Sequence, residues 1–199
     1  MNNKGFTLVE LLGSMVILGL IMLIVVPNVV GLMNSNRETV YVEDAKKMIL
    51  IAKAKVSGKK VKAPMGSNQC TFIGLGFLDN SEFDNPPNGG CYDVNRSFVI
   101  IKNEGHQLKY YVKLVEVFDN KYNGILTPVL STELDKDKVE QGKTSDALRY
   151  NYGSNGADGY VTADKCSGFD DRIYTKNGPK TYKTDAEGIC AKTSWCTFL

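Results

Sequence analysis

The hydrophobic pattern divides the chain into an apolar N-terminal stretch and a mixed remainder. Apolar residues run from position 6 to about position 30, interrupted by the carboxylate of Glu10, and no charged side chain occurs in residues 11–36. A helix needs about 20 apolar residues to cross the hydrocarbon core of a bilayer, so this stretch predicts a membrane-spanning helix. Because Lys4 precedes it, the positive-inside rule places the N-terminus in the cytoplasm and the remainder outside.

A second helical pattern follows Pro27. Apolar residues there recur at steps of three and four, which is the spacing of one helix face. Ser57-Gly58 is a stop signal, so we predict one helix over residues 6–57 whose second half packs an apolar stripe against a sheet. Pro27 removes one backbone hydrogen bond and should kink or loosen the helix. The residues of the stripe are Tyr41, Ala45, Met48, Ile49, Ala52 and Val56.

The remainder of the chain predicts an antiparallel sheet, and the fold class is therefore α+β. Residues 97–101 and 108–118 are predicted strands joined by a turn at 103–105, and 124–130 is a third strand with Pro128 at an edge. Dense charges at 132–143 predict a solvated loop or a short helix. Weaker signals predict a small hairpin at 70–77 and short strands at 160–162, 172–175 and 189–199.

The cysteine count is odd, so at least one cysteine is free, intermolecular or a metal ligand. We expect Cys70 to pair with Cys91, because this disulfide would staple the Gly-, Pro- and Asn-rich loop between them. In this interpretation two of the other three cysteines form a second disulfide, and one cysteine is left over. A zinc site with three cysteine ligands is the alternative. The five cysteines are Cys70, Cys91, Cys166, Cys190 and Cys196.

Composition and charge point away from several classes of function. The formal net charge is +2, and lysine outnumbers arginine, so a nucleic-acid partner is not indicated. The single histidine, His106, lies beside a predicted turn, where a solvated surface side chain is the expected state. The sequence contains no clustered catalytic constellation, so we predict a protein that is not an enzyme and has no cofactor.

Gly5 is a small residue directly before the apolar run. Cleavage between Gly5 and Phe6 would leave the helix in the mature chain. Cleavage there exposes a new α-amino group at Phe6. Glu10 lies four residues away, about 6 Å along a helix. A carboxylate inside a bilayer is costly unless an opposite charge offsets it, and the amine of Phe6, from the same or a neighbouring copy, is the candidate. The alternative is that Glu10 lies at the interface and reaches water.

Residues 5–10, Gly-Phe-Thr-Leu-Val-Glu, resemble the class III signal of type IV pilins and pseudopilins. The resemblance implies that prepilin peptidase cleaves after Gly5, that Phe6 becomes N-methylated and that Glu10 is the glutamate used in assembly. Pro27 lies where such pilins carry a helix-kinking proline. The resemblance covers roughly the first quarter of the chain.

The resemblance further implies a pilin fold and a structural role in a type IV pilus filament that serves adhesion, motility or surface attachment. Expected partners are other pilin subunits, the prepilin peptidase and N-methyltransferase, the assembly platform protein with its ATPase, and the membrane before assembly. The expected location is the cytoplasmic membrane for the single-pass precursor and then the cell surface. The domains become a leader (1–5), a transmembrane and filament-core half-helix (6–36) and an extracytoplasmic globular domain (37–199).

Two alternatives to a pilus subunit remain open at the level of sequence. The first is a pseudopilin of a type II secretion or competence DNA-uptake system. The second is a signal-anchored extracytoplasmic binding domain. Some pseudopilins bind calcium in a C-terminal loop, but solvated loop acids explain the carboxylates of this chain better, and we predict no metal site. The acids weighed as calcium ligands are Asp158, Asp164, Asp170 and Asp171.

Overall fold

The computed structural model begins with one long helix, α1, over Leu8–Ser57. The chain divides into two compact units, Met1–Arg37 and Glu38–Leu199. The structure describes residues 7–67, 69–78, 83, 85–94, 96–105, 107–144, 160–163 and 195–196.

The described strands of the second unit form one sheet. Its order is β6-β5-β4-β3-β1-β7, with antiparallel neighbours, while β2 pairs antiparallel with β4 and parallel with β8. This confirms the predicted α+β class with an antiparallel sheet. The strands are β1 (Cys70–Gly74), β2 (Cys91–Asp93), β3 (Phe98–Glu104), β4 (Gln107–Phe118), β5 (Lys121–Leu130), β6 (Glu140–Lys143), β7 (Tyr160–Ala163) and β8 (Trp195–Cys196).

The central meander β3-β4-β5 follows from local turn chemistry. Asp119 and Asn120 have φ angles of 48° and 57°, which is the conformation of a two-residue hairpin loop that matches strand twist. Because this loop is so short, β5 begins at once, three residues before the predicted start. Gly124 then lies inside β5 with φ +114°, where a Cβ atom would be 2.4 Å from the carbonyl oxygen of Leu114. The strands predicted at 97–101 and 108–118 are confirmed as β3 and β4.

The second half of α1 packs its predicted stripe on one face of the sheet. Tyr41, Ala45, Met48 and Ala52 are fully buried, and Ile49 is 4% exposed, so the stripe is confirmed at these five positions. Burial of apolar surface drives this packing, at about 25 cal/mol per Å². The strand residues that share the core with the helix include Val99, Ile101, Val112, Leu114 and Ile125.

Other local predictions were wrong because distant strands decide the pairing. The predicted hairpin at 70–77 does not form; β1 pairs with β3 and β7, and residues 75–77 form a 3₁₀ turn. For residues 132–143 the prediction of a loop or short helix is confirmed only in part: they contain a short 3₁₀ helix, Lys136–Lys138, but then form β6, which extends the sheet beside β5. The strand predicted at 160–162 is confirmed as β7. The prediction at 172–175, and that at 189–199 apart from β8, lie outside the described residues.

A buried polar cluster, the Glu116 cluster of Tyr41, Asn88, Gly90 and Glu116, ties a Pro- and Gly-rich loop to the helix and to β4. The backbone nitrogens of Asn88 and Gly90 donate to Glu116 Oε1 over 3.2 and 2.9 Å. The Asn88 side chain donates to Glu116 Oε2 over 2.7 Å, and the hydroxyl of Tyr41 donates to the same oxygen. A Cβ atom on Gly90 would be 2.2 Å from the carbonyl oxygen of Val117, so the loop reaches β4 only with glycine there.

Candidate functional site at the helix N-terminus

The N-terminal unit presents an apolar helix surface with a single charged side chain near its start. Leu8 and Val9 are 79% and 77% exposed, and the large apolar residues as far as Met33 are exposed in the same way. Glu10 is exposed among them. A surface this apolar marks an interaction site with a membrane or with other chains. Among the described residues, α1 is long and apolar enough to cross a membrane by length and composition.

Glu10 is held by the residue that opens the helix. The backbone nitrogen and the hydroxyl of Thr7 donate to Glu10 Oε2 over 2.9 and 2.8 Å. In return, the backbone nitrogen of Glu10 donates to the Thr7 hydroxyl over 3.3 Å. This reciprocal arrangement is a capping box, in which the first and fourth residues satisfy each other's free N–H groups. The carboxylate of Glu10 therefore points back towards the start of the helix.

Thr7 is the partner of Glu10, and the sequence analysis assigned it no role. The signal was present, because Thr-x-x-Glu before an apolar run is the pattern of a capping box. Gly5 and Phe6 lie outside the described residues, but Thr7 is the next residue in the chain. The structure therefore directs the carboxylate of Glu10 back to Thr7, the second residue after the predicted cleavage boundary.

Pro27 lies inside α1, as expected, and the helix continues on both sides of it. The proline nitrogen carries no hydrogen, so the carbonyl of Leu23 loses its helical donor. The next residue, Asn28, turns its amide back along the helix and donates from Nδ2 to the carbonyl of Ile24 over 3.0 Å. Asn28 is a polar residue of the apolar stretch to which the sequence analysis assigned no role.

The predicted pairing of Cys70 with Cys91 is incompatible with the strand register. Cys70 lies opposite Lys102, which lies opposite Lys109 near the start of β4, whereas Cys91 lies opposite Val117 near its end. The eight residue steps from Lys109 to Val117 span about 26 Å, and disulfide-bonded Cα atoms lie within about 7 Å. The pairing was wrong because loop length alone carries no information on where the sheet places the two ends.

Cys70 and Cys91 are nevertheless each disulfide-bonded. Since they cannot bond to each other, each requires one of the other three cysteines as its partner. Cys166 and Cys190 lie outside the described residues, and Cys196 is described only as part of β8.

The other candidate chemical groups do not form a site in the described part of the chain. His106 and the four acids weighed as calcium ligands, Asp158, Asp164, Asp170 and Asp171, lie outside the described residues. Within the described ranges, no group of three or more His, Cys, Asp or Glu side chains is arranged to hold a metal ion. The side-chain hydrogen bonds described in the apolar segment thus join Thr7 with Glu10, Ser14 with Leu11, and Asn28 with Ile24 beside Pro27.

Comparison with known proteins bears on this N-terminal segment. Residues 1–26 match the family model described as the prokaryotic N-terminal methylation motif. Neither the comparison with curated proteins nor that with solved structures found a match. The matched residues include Thr7 and Glu10 and end just before Pro27. The N-terminus of this chain is therefore the class III signal of type IV pilins and pseudopilins, and its apolar helix is consistent with a membrane-anchored precursor.

Proposed function

We propose that this protein is a structural subunit of a type IV pilus filament, processed by prepilin peptidase between Gly5 and Phe6 and assembled through its N-terminal helix. The observation that carries the proposal is the capped carboxylate of Glu10 on an otherwise apolar, exposed helix surface within the methylation motif. A carboxylate there is costly in a bilayer, and an assembly role accounts for its presence.

Processing prepares the contact between subunits. Cleavage after Gly5 creates a positively charged amine at Phe6, which N-methylation leaves charged. The amine of an incoming subunit then approaches the Glu10 carboxylate of its neighbour, which Thr7 has oriented towards the helix start. Opposite charges in a low-dielectric environment attract far more strongly than in water, so this pairing favours a fixed stagger of about four residues between neighbouring helices.

The remaining parts of the molecule then have distinct roles. The apolar surface of residues 8–33 is in lipid in the precursor and against other helices in the filament. The sheet domain forms the outer layer, where it makes the contacts that serve adhesion, motility or attachment. Partners in this pathway are other pilin subunits, the peptidase and N-methyltransferase, the assembly platform and its ATPase, and the proposed product is an extracellular filament.

The proposal is tested by Glu10→Ala in cells that carry the rest of the assembly machinery. We expect cleavage at Gly5 to proceed and the subunit to be missing from sheared surface filaments, because the incoming amine has no counter-charge. Mass spectrometry of the filament and membrane fractions reports both the Phe6 terminus and the amount of subunit. Glu38→Ala, a carboxylate of the same helix beyond the apolar stretch, is the matched control and should assemble normally.

Normal amounts of the Glu10→Ala subunit in filaments would refute the pairing role. A second variant, Gly5→Val, should accumulate uncleaved in the membrane, and normal cleavage would contradict the proposed boundary. The methylation motif is common to pilins and pseudopilins. A short periplasmic fibre with no surface filament, together with loss of secretion or DNA uptake on deletion, would therefore assign the chain to a pseudopilus instead.

A further inference from the structure

The few polar side chains of the apolar helix segment lie on one side of it. In residues 7–33 they are Thr7, Glu10, Ser14 and Asn28. Asn28 follows Glu10 by 18 residues, which is five full turns at 3.6 residues per turn, so the two side chains leave the helix in the same direction. Thr7 and Ser14 lie within about 60° of that direction by the same helical geometry. In transmembrane helices, such a polar face is where neighbouring helices meet.

Three of these four side chains have partners within their own turn of helix. Thr7 and Glu10 cap each other, and the hydroxyl of Ser14 donates to the carbonyl of Leu11 over 2.8 Å. Asn28 differs, because a primary amide has two N–H donors and an acceptor oxygen, and its bond to Ile24 uses one donor. In the described part of the chain its side chain has no further hydrogen bond, so one N–H and Oδ1 remain available on the apolar surface.

A matching acceptor lies less than two turns away. Pro27 cannot donate to the carbonyl of Leu23, and the side chain of Asn28 bonds to Ile24 rather than to Leu23. The Leu23 carbonyl is therefore left without its helical donor. Helical carbonyls point towards the C-terminus, so this oxygen lies close to the level of residue 24 or 25. An unsatisfied carbonyl is costly away from water, both in lipid and against other helices, and a donor from a neighbouring copy would satisfy it.

We propose that Asn28 forms a second polar contact between neighbouring subunits, donating its free N–H to the Leu23 carbonyl of the next copy of this chain. The inference rests on the proposed filament. A four-residue stagger brings Phe6 of one copy level with Glu10 of its neighbour. The same stagger brings residue 24 of the first copy level with Asn28 of the neighbour. One axial shift of four residues between neighbouring helices therefore allows both contacts.

By helical geometry Leu23 leaves the helix about 140° away from Asn28, so the Asn28 contact joins two different faces of the helix, as an open filament requires. One copy contributes Glu10 and Asn28, which share a face, and its neighbour contributes the amine of Phe6 and the carbonyl freed by Pro27. Contacts between unlike faces propagate into helical polymers instead of closing into dimers. A single Asn in an apolar helix interface is also known to fix register at some cost in stability, which is the property that a repeating assembly needs.

The test is a double-mutant cycle in cells that assemble the filament. Asn28→Leu removes the donor, and Pro27→Ala supplies a helical N–H that satisfies Leu23 internally. Each should lower the ratio of subunit in sheared filaments to processed subunit in the membrane by about three- to tenfold, the range of interhelical hydrogen bonds in membranes. The double variant should lose no more than the stronger single variant, because both changes break the same bond.

Asn34→Leu is the matched control, since Asn34 is an exposed residue of the same helix that lies about 120° around it from Asn28, and it should assemble normally. Glu10→Ala is measured alongside. If Asn28→Leu assembles like the unmodified chain while Glu10→Ala does not, the Asn28 contact is refuted and the proposed function stands. If the losses from Asn28→Leu and Pro27→Ala multiply in the double variant, the two residues act independently and the contact is likewise refuted. Normal assembly of Glu10→Ala would instead remove the filament mechanism on which the contact depends.

Discussion

At the scale of single residues, buried polar groups join a loop and the helix to the sheet. Glu116 is fully buried, and its two oxygens accept from the loop backbone, from Asn88 and from Tyr41. Tyr92 donates to Asp44 over 2.6 Å in the same region, and burial beside that carboxylate raises the pKa of Tyr92 well above its ordinary value. Both carboxylates belong to elements that the sequence analysis identified, but their partners are distant in the chain.

Replacing Glu116 with Ala should lower the free energy of unfolding by about 3 kcal/mol, because the buried hydroxyl of Tyr41 and the partly buried donors of Asn88 and Gly90 lose their acceptor at once. Urea denaturation followed by the fluorescence of the single tryptophan, Trp195 in β8, measures the change. Glu140→Ala is the control: Glu140 pairs with Lys143 across 3.1 Å at the exposed edge strand, so its loss should change stability by less than about 1 kcal/mol. Equal effects of the two substitutions would contradict the role of the Glu116 cluster.

The contribution of Glu104, at the end of β3, to the stability of the fold depends on pH. Its bonds to Lys102 and Lys109, at 2.6 and 2.7 Å, lower its pKa from 4.5 to about 2. A depressed pKa means that the stabilisation is present above the unfolded-state pKa and is lost as the pH falls towards 2. Glu104→Gln should therefore be slightly less stable at neutral pH, by under about 1 kcal/mol because water still reaches these partly exposed side chains and screens the charges. A stability difference that persists unchanged below pH 2 would contradict this assignment.

At the scale of elements, the local segments were predictable and their partners were not. The strands β3 and β4 and the buried stripe of α1 follow from alternation, turn residues and helical spacing, all of which act within a few residues. The pairing of β1 with β3 and β7, and of β2 with β4 and β8, joins segments that are far apart in sequence. The disulfide prediction failed for this reason.

The register supports a different cysteine pairing. Ala163 in β7 lies opposite Cys70, and Cys166 follows only three residues later, within reach of a disulfide. We expect a bond between Cys70 and Cys166, and a bond from Cys91 to Cys190 or Cys196, because β8 runs beside β2. Peptide mapping of the non-reduced protein by mass spectrometry reads out the connectivity. A peptide linking Cys70 directly to Cys91 would overturn the register of β1 or β2.

At the scale of the whole molecule, the chain separates exposed apolar surface from a conventional protein interior. Large apolar side chains are exposed almost continuously from Leu8 to Met33. Among the described residues beyond this stretch, the exposed ones are Leu50, Met65, Leu108 and Phe118. Such a distribution suits a segment whose surroundings are supplied by lipid or by other subunits, and a second segment that is complete by itself.

A chain that begins at Arg37 should therefore fold as a soluble monomer. It lacks the exposed apolar helix surface but keeps the core and the Glu116 cluster. Size-exclusion chromatography with light scattering and a cooperative urea transition would verify this. A chain that begins at Thr7 serves as the comparison and should need detergent. Aggregation of the shorter chain without detergent would contradict a domain boundary near residue 37.

The sequence by itself determined the apolar helix, the position of Glu10 within it, the motif around Gly5 and Phe6, and the α+β class. These are encoded in contiguous residues, because helix period, membrane length and a cleavage signal are all local properties. Only the tertiary structure decided the sheet order, the incompatibility of Cys70 with Cys91 and the burial of Glu116 against a distant loop. Those features depend on which segments meet in space, and the free energy of that choice is a sum over long-range contacts that no local pattern records.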